Sequence, residues 1–327
     1  MNTSTKYMGL ELKNPIIVSS SRLTGSYDKI VECAKNGAAA IVLKSLFEEQ
    51  IISDIDAKLQ DNEMYFWYPE ATKFVKGISK DHGVNEYIKL IKKVKENIDI
   101  PVIASVNCNT SHEWPAFASE LEKAGADAIE LNIAIFPFDE NVESKDIENL
   151  YIGILKEVKL HVSIPVSIKL GSCFTNISRI VSLLDVAGAN GLVLFNRFFR
   201  PDIDIEKGEL IFDNYLSEPS EMTQSLRWVG LMAGKVKCDI VASTGIHDYQ
   251  GVVKQIMAGA SATAVCSVLY KKGIPYIKEM ISDLENWMQT NKIKSLDDIR
   301  GKINVGKDNS AEFERVQFMR KTTGIFN

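Results

Sequence analysis

Residues 35–45 read KNGAAAIVLKS: the end of a helix, a Gly-Ala turn and a short apolar run that closes on a polar residue. The same pattern returns as KAGADAIELNI at 123–133, VAGANGLVLFN at 186–196 and MAGASATAVCS at 257–267. Glycine just past a helix relieves the left-handed conformation of the C-cap, and an apolar run of about five residues suits a strand covered on both faces. Repetition of one helix–Gly–strand unit therefore indicates a repeat-built α/β fold.

Four further apolar runs, most of them led by proline, alternate with these units. They begin at Asn14 (NPIIVSS), Ile100 (IPVIASVN), Ile164 (IPVSIKLG) and Cys238 (CDIVASTG). The two sets together predict eight strands, with ends near Ser19, Lys44, Val106, Asn132, Leu170, Asn196, Ser243 and Cys266. Eight strands that alternate with amphipathic helices predict an α/β fold, a (β/α)8 TIM barrel. A doubly wound open sheet is the alternative, but the strand count and the absence of GxGxxG after the first strand favour the barrel.

Length, composition and charge indicate a single enzyme-sized domain over residues 1–327. Barrels of this type usually have about 250 residues, so extended loops are expected. The net charge of −5 does not indicate a protein that binds nucleic acid. No apolar run approaches the length needed to cross a membrane. Five cysteines without close pairs indicate free thiols in a reducing cytoplasm. The expected partner is a small-molecule substrate, and no metal site is predicted.

The strand ends carry the candidate functional residues, because active sites of this fold are built from the loops there. Lys44 and Lys169 each end a buried run, and a lysine inside a barrel mouth needs an anionic partner. Asn132 and Asn196 stand at two further strand ends. Asparagine also starts turns and caps helices without any functional role, and that alternative remains open for both.

The loops after the seventh and eighth strands are where such barrels often hold a phosphate. They read ASTGIHD at 242–248 and AVCSVLYKKG at 264–273. Gly245 can let the backbone approach an anion, and Thr244 and Ser267 add hydroxyl donors. Glycine turns with hydroxyl groups are common, but at this position in the fold they favour a bound phosphate.

A series of short pieces follows one order along the chain. It consists of LKNPIIVSSS, IVLKS, ELN, PVSIKL, LFN, and STGI followed by GASATAVCS. Each piece alone is unspecific. In this order and spacing, from residue 3 to about residue 290, they resemble the soluble class of dihydroorotate dehydrogenases, which are flavin-dependent (β/α)8 barrels.

The resemblance implies an FMN oxidoreductase of pyrimidine biosynthesis that acts on dihydroorotate or a related ring, with FMN lying across the barrel mouth. It implies ring and ribityl contacts from Ser20, Lys44, Ser45, Asn132 and Lys169. It implies phosphate contacts from Thr244, Gly245, Cys266 and Ser267, and substrate contacts from Lys44, Asn132 and Asn196. Lysines at these positions make chemical sense, because reduced flavin carries negative charge. A homodimer is also implied.

One stretch departs from the family. In ELNIAIFPFDEN, residues 130–141, Ile135 and Phe136 stand where the family has a Cys or Ser that removes a proton from dihydroorotate. Neither side chain can accept a proton, so the role of general base is vacant. Cys108 and Cys173 follow strands on the same face and are weak candidates for the base, against the alternative of inert buried thiols.

The sequence leaves open the role of the aromatic segment 64–68 and two alternative functions. Residues 61–79 replace the family's Asn-rich substrate loop, and the aromatic residues of the segment 64–68 within them are expected to form a lid, a dimer surface or simple packing. One alternative function is a phosphate-binding barrel without flavin redox activity, acting as a lyase or isomerase. The other is a catalytically silent relative retained for binding or assembly.

Overall fold

Parallel strands alternate with helices along the part of the chain that the structure describes. The computed structural model describes residues 1–52, 83–111, 115–135, 139–198, 200–211 and 215–303, so the aromatic segment 64–68 lies outside it. The described strands are β1 Thr5–Tyr7, β2 Leu10–Leu12, β3 Ile16–Val18, β4 Ala40–Val42, β5 Leu46–Phe47, β6 Val102–Cys108, β7 Ala128–Ile133, β8 Val166–Leu170, β9 Gly191–Leu194, β10 Asp202–Asp204, β11 Glu209–Ile211, β12 Asp239–Ser243 and β13 Ala262–Val265. The described helices are α1 Tyr27–Lys35, α2 Val84–Lys95, α3 Ala118–Lys123, α4 Ser144–His161, α5 Ile177–Val186, α6 Met222–Met232, α7 Tyr249–Ala258, α8 Ser267–Lys272 and α9 Tyr276–Thr290. None of these helices is long and apolar enough to cross a membrane.

Eight of the described strands form a closed parallel barrel in the order β3, β4, β6, β7, β8, β9, β12 and β13. The ring closes because β13 pairs with β3, with Thr263 opposite Ile16, while β4 pairs with β6, with Ile41 opposite Val102. This closure confirms the predicted (β/α)8 barrel and excludes the open sheet. The two-residue strand β5, which pairs in parallel with the end of β6, was not predicted.

The glycines of the repeated units end helices as predicted. Gly37 follows α1 with a φ of +99°, and Gly259 follows α7 with a φ of +117°. Both angles lie in the left-handed region, where a side chain would be strained. The apolar runs that follow these two glycines enter the barrel as β4 and β13.

Side chains along each barrel strand alternate between two hydrophobic layers. In β4, Ile41 packs beneath the helices, whereas Ala40 and Val42 fill the barrel interior. Small apolar side chains fill the interior toward the amino ends of the strands. Buried polar side chains, such as those of Glu130 and Lys169, follow toward the carboxyl ends. The carboxyl end of the barrel is therefore the face that can bind a polar ligand.

An antiparallel hairpin of β1 and β2 covers the amino end of the barrel, which the sequence did not predict. The side chains of Tyr7 and Met8 join the interior cluster. The amide of Met8 donates to Asp239 Oδ2 at 2.7 Å, at the start of β12. Thr5 Oγ1 donates to the carbonyl of Ser261 at 2.7 Å, just before β13. The hairpin thus closes the end of the barrel opposite to the polar face.

Arg300 fastens this hairpin to the barrel from the far end of the described chain. Its guanidinium donates to the carbonyl of Ser261 at 3.1 Å and to Thr5 Oγ1 at 2.8 Å, and it also donates to the carbonyl of Ala260. The amide of Asn2 donates to the carbonyl of Lys294 at 2.8 Å. Segments from the two ends of the described chain therefore meet at the amino end of the barrel.

We expect Gly191→Ala to destabilise the fold, because the added Cβ would lie 2.7 Å from Tyr7 Cε2 and 2.9 Å from Met8 Cγ. Overpacking of this kind costs about 1–3 kcal/mol, which the free energy of unfolding in urea measures. The control is Gly153→Ala in α4, where nothing outside the helix backbone lies within 4 Å of the added Cβ. Alanine there should stabilise the helix by roughly 1 kcal/mol. Equal stability of Gly191→Ala and Gly153→Ala would show that the hairpin does not pack closely against Gly191.

Candidate active site

A cavity of about 140 Å³, the mouth cavity, lies at the carboxyl ends of β3, β8, β12 and β13. The predicted cofactor residues that line it are Ser20, Lys169, Thr244, Gly245, Cys266 and Ser267. Asn196, a predicted substrate residue, also lines it. The structure thus brings together much of the predicted site from distant segments of the chain. Lys44, Ser45 and Asn132 are not among its lining residues.

Lys169 is the buried cation of the mouth cavity. It extends from β8 into the barrel, is only 7% exposed, and places Nζ 3.4 Å from Ser19 Oγ. On the neighbouring strand β7, burial raises the pKa of the Glu130 carboxyl, and the charge of Lys169 partly offsets that rise. Among the described residues, Glu130 Oε1 has no hydrogen-bond partner. A buried ammonium that faces a cavity favours an anionic ligand there.

Lys44 and Ser45 line a second cavity, of about 240 Å³, between β5 and α2. Hydroxyl groups connect the linings of the two cavities, because Ser20 Oγ lies 3.1 Å from Ser45 Oγ. Ser45 Oγ in turn lies 2.8 Å from Ser105 Oγ inside the barrel. Lys44 and Lys169, which the resemblance assigns to one flavin, therefore line different cavities in this structure.

Asn132 and Asn196 contact each other at the ends of β7 and β9. Asn196 Nδ2 donates to Asn132 Oδ1 at 2.8 Å, and Asn107 Nδ2 donates to the carbonyl of Asn132 at 3.2 Å. The contact with Asn132 orients the amide of Asn196, which lines the mouth cavity. An oriented amide can both donate hydrogen bonds to a planar ring and accept them from it.

The turn at Thr244 and Gly245 has a packing role that the sequence did not predict. Both residues lie in the left-handed region, with φ of +71° and +76°. A Cβ on Gly245 would collide with the backbone nitrogen of Met222, at the start of α6. Thr244 Oγ1 donates to the carbonyl of Phe195 at 3.0 Å. The close approach of α6 therefore requires glycine at position 245.

Ser217, which the sequence reasoning missed, forms hydrogen bonds with two residues at the predicted phosphate end. Its Oγ accepts from the amide of Gly245 at 3.2 Å and lies 3.3 Å from His247 Nε2. Its own amide donates to Ser267 Oγ at 2.9 Å. Lys271 Nζ donates to the carbonyl of Ser217 at 3.1 Å. Ser217 lies in the loop after β11, so a rule based on barrel strand ends does not find it.

The two cysteine candidates lie in different surroundings. Cys108 points from β6 into the core beneath the helices, and burial raises the pKa of its thiol well above the usual value. Cys173 is exposed and lines a separate cavity of about 260 Å³ with Ile135 and Tyr151. Burial also raises the pKa of the Cys173 thiol. Raised pKa values disfavour the thiolate, and Cys108 is not among the described residues that line the mouth cavity.

Comparison with known proteins places the chain in one family. The family described as dihydroorotate dehydrogenase matches residues 2–288. The catalytic subunit of dihydroorotate dehydrogenase B (NAD(+)) from Thermoplasma acidophilum is 28% identical over 305 residues, which cover 91% of this chain and 97% of that protein. The corresponding subunit from Thermoplasma volcanium is 29% identical over 306 residues, with 91% and 97% covered. A putative dihydroorotate dehydrogenase A (fumarate) from Aeropyrum pernix is 28% identical over 239 residues, with 72% and 78% covered.

Proposed function

Because the chain belongs to the dihydroorotate dehydrogenase family, we propose that it is an FMN-dependent oxidoreductase with its flavin at the barrel mouth. The observation that carries this proposal is Lys169, a buried cation in a cavity lined by hydroxyl groups. A fixed cation beside a flavin ring stabilises the negative charge of the reduced ring. Dihydroorotate or a related amide-bearing ring is the proposed substrate.

The donors at the barrel mouth fit the anionic parts of FMN. Lys169 and Ser20 would contact the ring, and Ser267 and the Gly245 amide would hold the phosphate, with Lys271 nearby. In this structure Ser217 bonds to both the Ser267 hydroxyl and the Gly245 amide. Phosphate binding to the Gly245 amide therefore requires Ser217 Oγ to release that amide, whereas the Ser267 hydroxyl, which accepts from the Ser217 amide, can still donate.

Each residue of the mouth has a separate part in the proposed reaction. Bound FMN would supply the hydride acceptor. The amide of Asn196, held by Asn132, would orient the planar substrate. Lys169 would stabilise negative charge beside the ring. Ile135 cannot accept a proton, so the proposed reaction does not use the family's usual base position.

We expect the purified protein to bind one FMN and to show the visible absorption of oxidised flavin. Titration of flavin-free protein with FMN, followed by fluorescence quenching, measures the affinity. Riboflavin has the same ring without the phosphate, so it should bind more weakly if Ser267, Lys271 and the Gly245 amide hold the phosphate. Equal affinities would remove the phosphate site from the proposal. A protein that takes up no FMN would overturn the flavin assignment.

A phosphate-binding barrel without flavin is the second candidate. The volume of the mouth cavity, about 140 Å³, favours it, because cavities that bury drug-sized ligands are usually about 300–1,000 Å³. Binding of inorganic phosphate without any uptake of FMN would support this candidate. FMN uptake without turnover of any tested dihydropyrimidine would instead support a catalytically silent relative.

A further inference from the structure

Three serine hydroxyls, the hydroxyl chain, lead from the mouth cavity into the barrel interior. Ser20, which lines the mouth cavity, places its Oγ 3.1 Å from Ser45 Oγ. Ser45 Oγ in turn lies 2.8 Å from Ser105 Oγ on β6, and Ser105 is fully buried. A hydroxyl group both donates and accepts hydrogen bonds, so a series of them can pass a proton along. The hydroxyl chain therefore connects the ligand space with a position that solvent does not reach.

The hydroxyl chain ends one strand away from the carboxyl group of Glu130. Ser105 stands directly opposite Glu130 in the register of β6 and β7. Both side chains point into the barrel, because Ile103 and Ala128, two residues before them on their strands, belong to the interior cluster. Glu130 is only 3% exposed, and among the described residues its Oε1 has no hydrogen-bond partner. An ionised carboxylate in such a place is costly, and protonation removes that cost.

Lys169 is the cation whose charge acts on Glu130. It lies on β8, two residues beyond Ser167, which stands opposite Glu130. Among the described residues no ion pair joins the two groups, and Lys169 Nζ instead lies 3.4 Å from Ser19 Oγ. Burial raises the pKa of the Glu130 carboxyl, and the charge of Lys169 partly offsets that rise. The ionised form of Glu130 therefore depends on a charge that also faces the mouth cavity.

The other titratable groups near this pair do not change their charge near neutral pH. Tyr7 approaches Glu130 from the hairpin, and Tyr87 approaches it from α2. Burial raises the pKa of both phenol groups above the usual value. Cys266 lies near Lys169 at the end of β13, and burial likewise raises the pKa of its thiol. Because all three stay protonated, Lys169 is the group of this set whose effective charge a ligand can change.

We propose that Glu130 is a buried proton acceptor that responds to negative charge in the mouth cavity. When an anion or a reduced flavin ring lies against Lys169, the Glu130 carboxylate takes up one proton from solvent through the hydroxyl chain. The negative charge offsets that of Lys169, so the carboxylate loses the charge that keeps it ionised. In the flavin case a two-electron donor delivers hydride to the ring, and the proton on Glu130 is a separate one from solvent. The flavin case rests on the proposed function, whereas the anion case does not.

Proton uptake with sulfate tests the acceptor without flavin. Sulfate does not titrate near neutral pH, so any proton taken up must bind to the protein. Calorimetric titration of the flavin-free full-length chain, in two buffers of different ionisation enthalpy, counts the protons bound per sulfate. The count should approach one in the wild type, at a pH between the Glu130 pKa values of the free and the bound chain, and Glu130→Gln should lose this uptake. An infrared band of a protonated carboxyl group should appear with sulfate in the wild type and not in the variant.

Glu148→Gln is the matched control, because Glu148 is also a buried glutamate but pairs with Arg179 on the outer helices, Nε to Oε2 at 3.1 Å. It should keep the proton count. Lys169→Ala guards against a folding defect in Glu130→Gln, because it should show the protonated carboxyl band without sulfate at a pH where the wild type does not. Ser105→Ala interrupts the hydroxyl chain, so it should keep the count and slow the uptake, which a pH indicator follows after rapid mixing.

In the chain with bound FMN, the reduction potential measures the same uptake. Each proton bound per two electrons lowers the midpoint potential by about 30 mV for each unit of rise in pH. The wild-type potential should therefore fall by about 59 mV per pH unit, because the ring and Glu130 each bind one proton. Glu130→Gln should reduce this slope to about 30 mV, with only the ring binding a proton.

The two measurements separate failure of the acceptor from failure of the flavin assignment. A chain that takes up no FMN, but takes up a proton with sulfate through Glu130, contradicts the flavin assignment and keeps the acceptor. A chain that binds FMN with the same slope in the wild type and Glu130→Gln contradicts the acceptor and keeps the flavin. The acceptor is also overturned if sulfate does not bind, or binds without proton uptake at every pH at which the chain is folded. Equal rates of uptake in the wild type and Ser105→Ala would contradict the route through the hydroxyl chain.

Discussion

Lys169→Ala should weaken FMN binding by roughly 10- to 100-fold, or lower the reduction potential of the flavin that remains. The lysine is the buried cation of the mouth cavity, and hydrogen bonds to a charged group contribute about 1.5–3 kcal/mol. The same change removes the positive charge that offsets the raised pKa of Glu130. Glu130 should therefore take up a proton at a higher pH in the variant than in the wild type.

Fluorescence titration with FMN and the equilibrium reduction potential measure the two expected effects. Lys159→Ala is the matched control. Its Nζ donates to Asn190 Oδ1 at 2.9 Å, at the opposite end of the barrel from the mouth cavity. The control should keep both the affinity and the potential. If Lys169→Ala also keeps both, the flavin does not lie against this lysine.

Reduction of the bound flavin by dihydroorotate should be absent or very slow. A positioned base contributes on the order of 10²–10⁴-fold to proton removal, and the resemblance described above implies that Ile135 and Phe136 replace that base here. Binding and turnover should therefore separate, with orotate still bound at the mouth. Stopped-flow absorbance of the flavin after mixing with dihydroorotate under anaerobic conditions measures the rate.

Fast reduction at neutral pH would refute this second prediction and would show that a base exists elsewhere. Cys173→Ala would then be the first variant to compare, because Cys173 is exposed and shares a cavity with Ile135. Cys108→Ala is the matched control, because that thiol lies in the core. A loss of rate in the Cys173 variant alone would identify the exposed thiol as the base.

The barrel could be predicted because its signals are local. Gly37 and Gly259 indicate helix ends because glycine adopts the left-handed backbone angles found there. The apolar runs after them have the length of buried strands. Strand ends then locate Lys169, Thr244 and Ser267 on one face, since the carboxyl ends of barrel strands converge. Each of these inferences needs only neighbouring residues and one rule of topology.

The contacts within the site could not be predicted, because they depend on loops that come together only in three dimensions. The amide of Ser217 donates to the hydroxyl oxygen of Ser267 from a loop 50 residues earlier in the chain. Arg197 Nε donates to Glu221, 24 residues later, and the two residues carry no periodic signal. Glycine is needed at position 245 because the start of α6 packs against it, and rules for turn sequences do not include contacts with a distant helix. The three-residue strands of the hairpin are too short for a pattern to predict them.

The contacts at the amino end of the barrel impose an order on folding during synthesis. Thr5 bonds to Ser261, 256 residues later, and to Arg300, 295 residues later. A ribosome that adds about 5–20 residues per second needs roughly 10–60 s to supply these partners. Throughout that interval the apolar side chains of the hairpin lack those of their final neighbours that lie late in the chain, such as Ala262 and Ala264. The nascent chain is therefore expected to depend on chaperones, and slower unassisted refolding of the full chain should accompany its long-range topology.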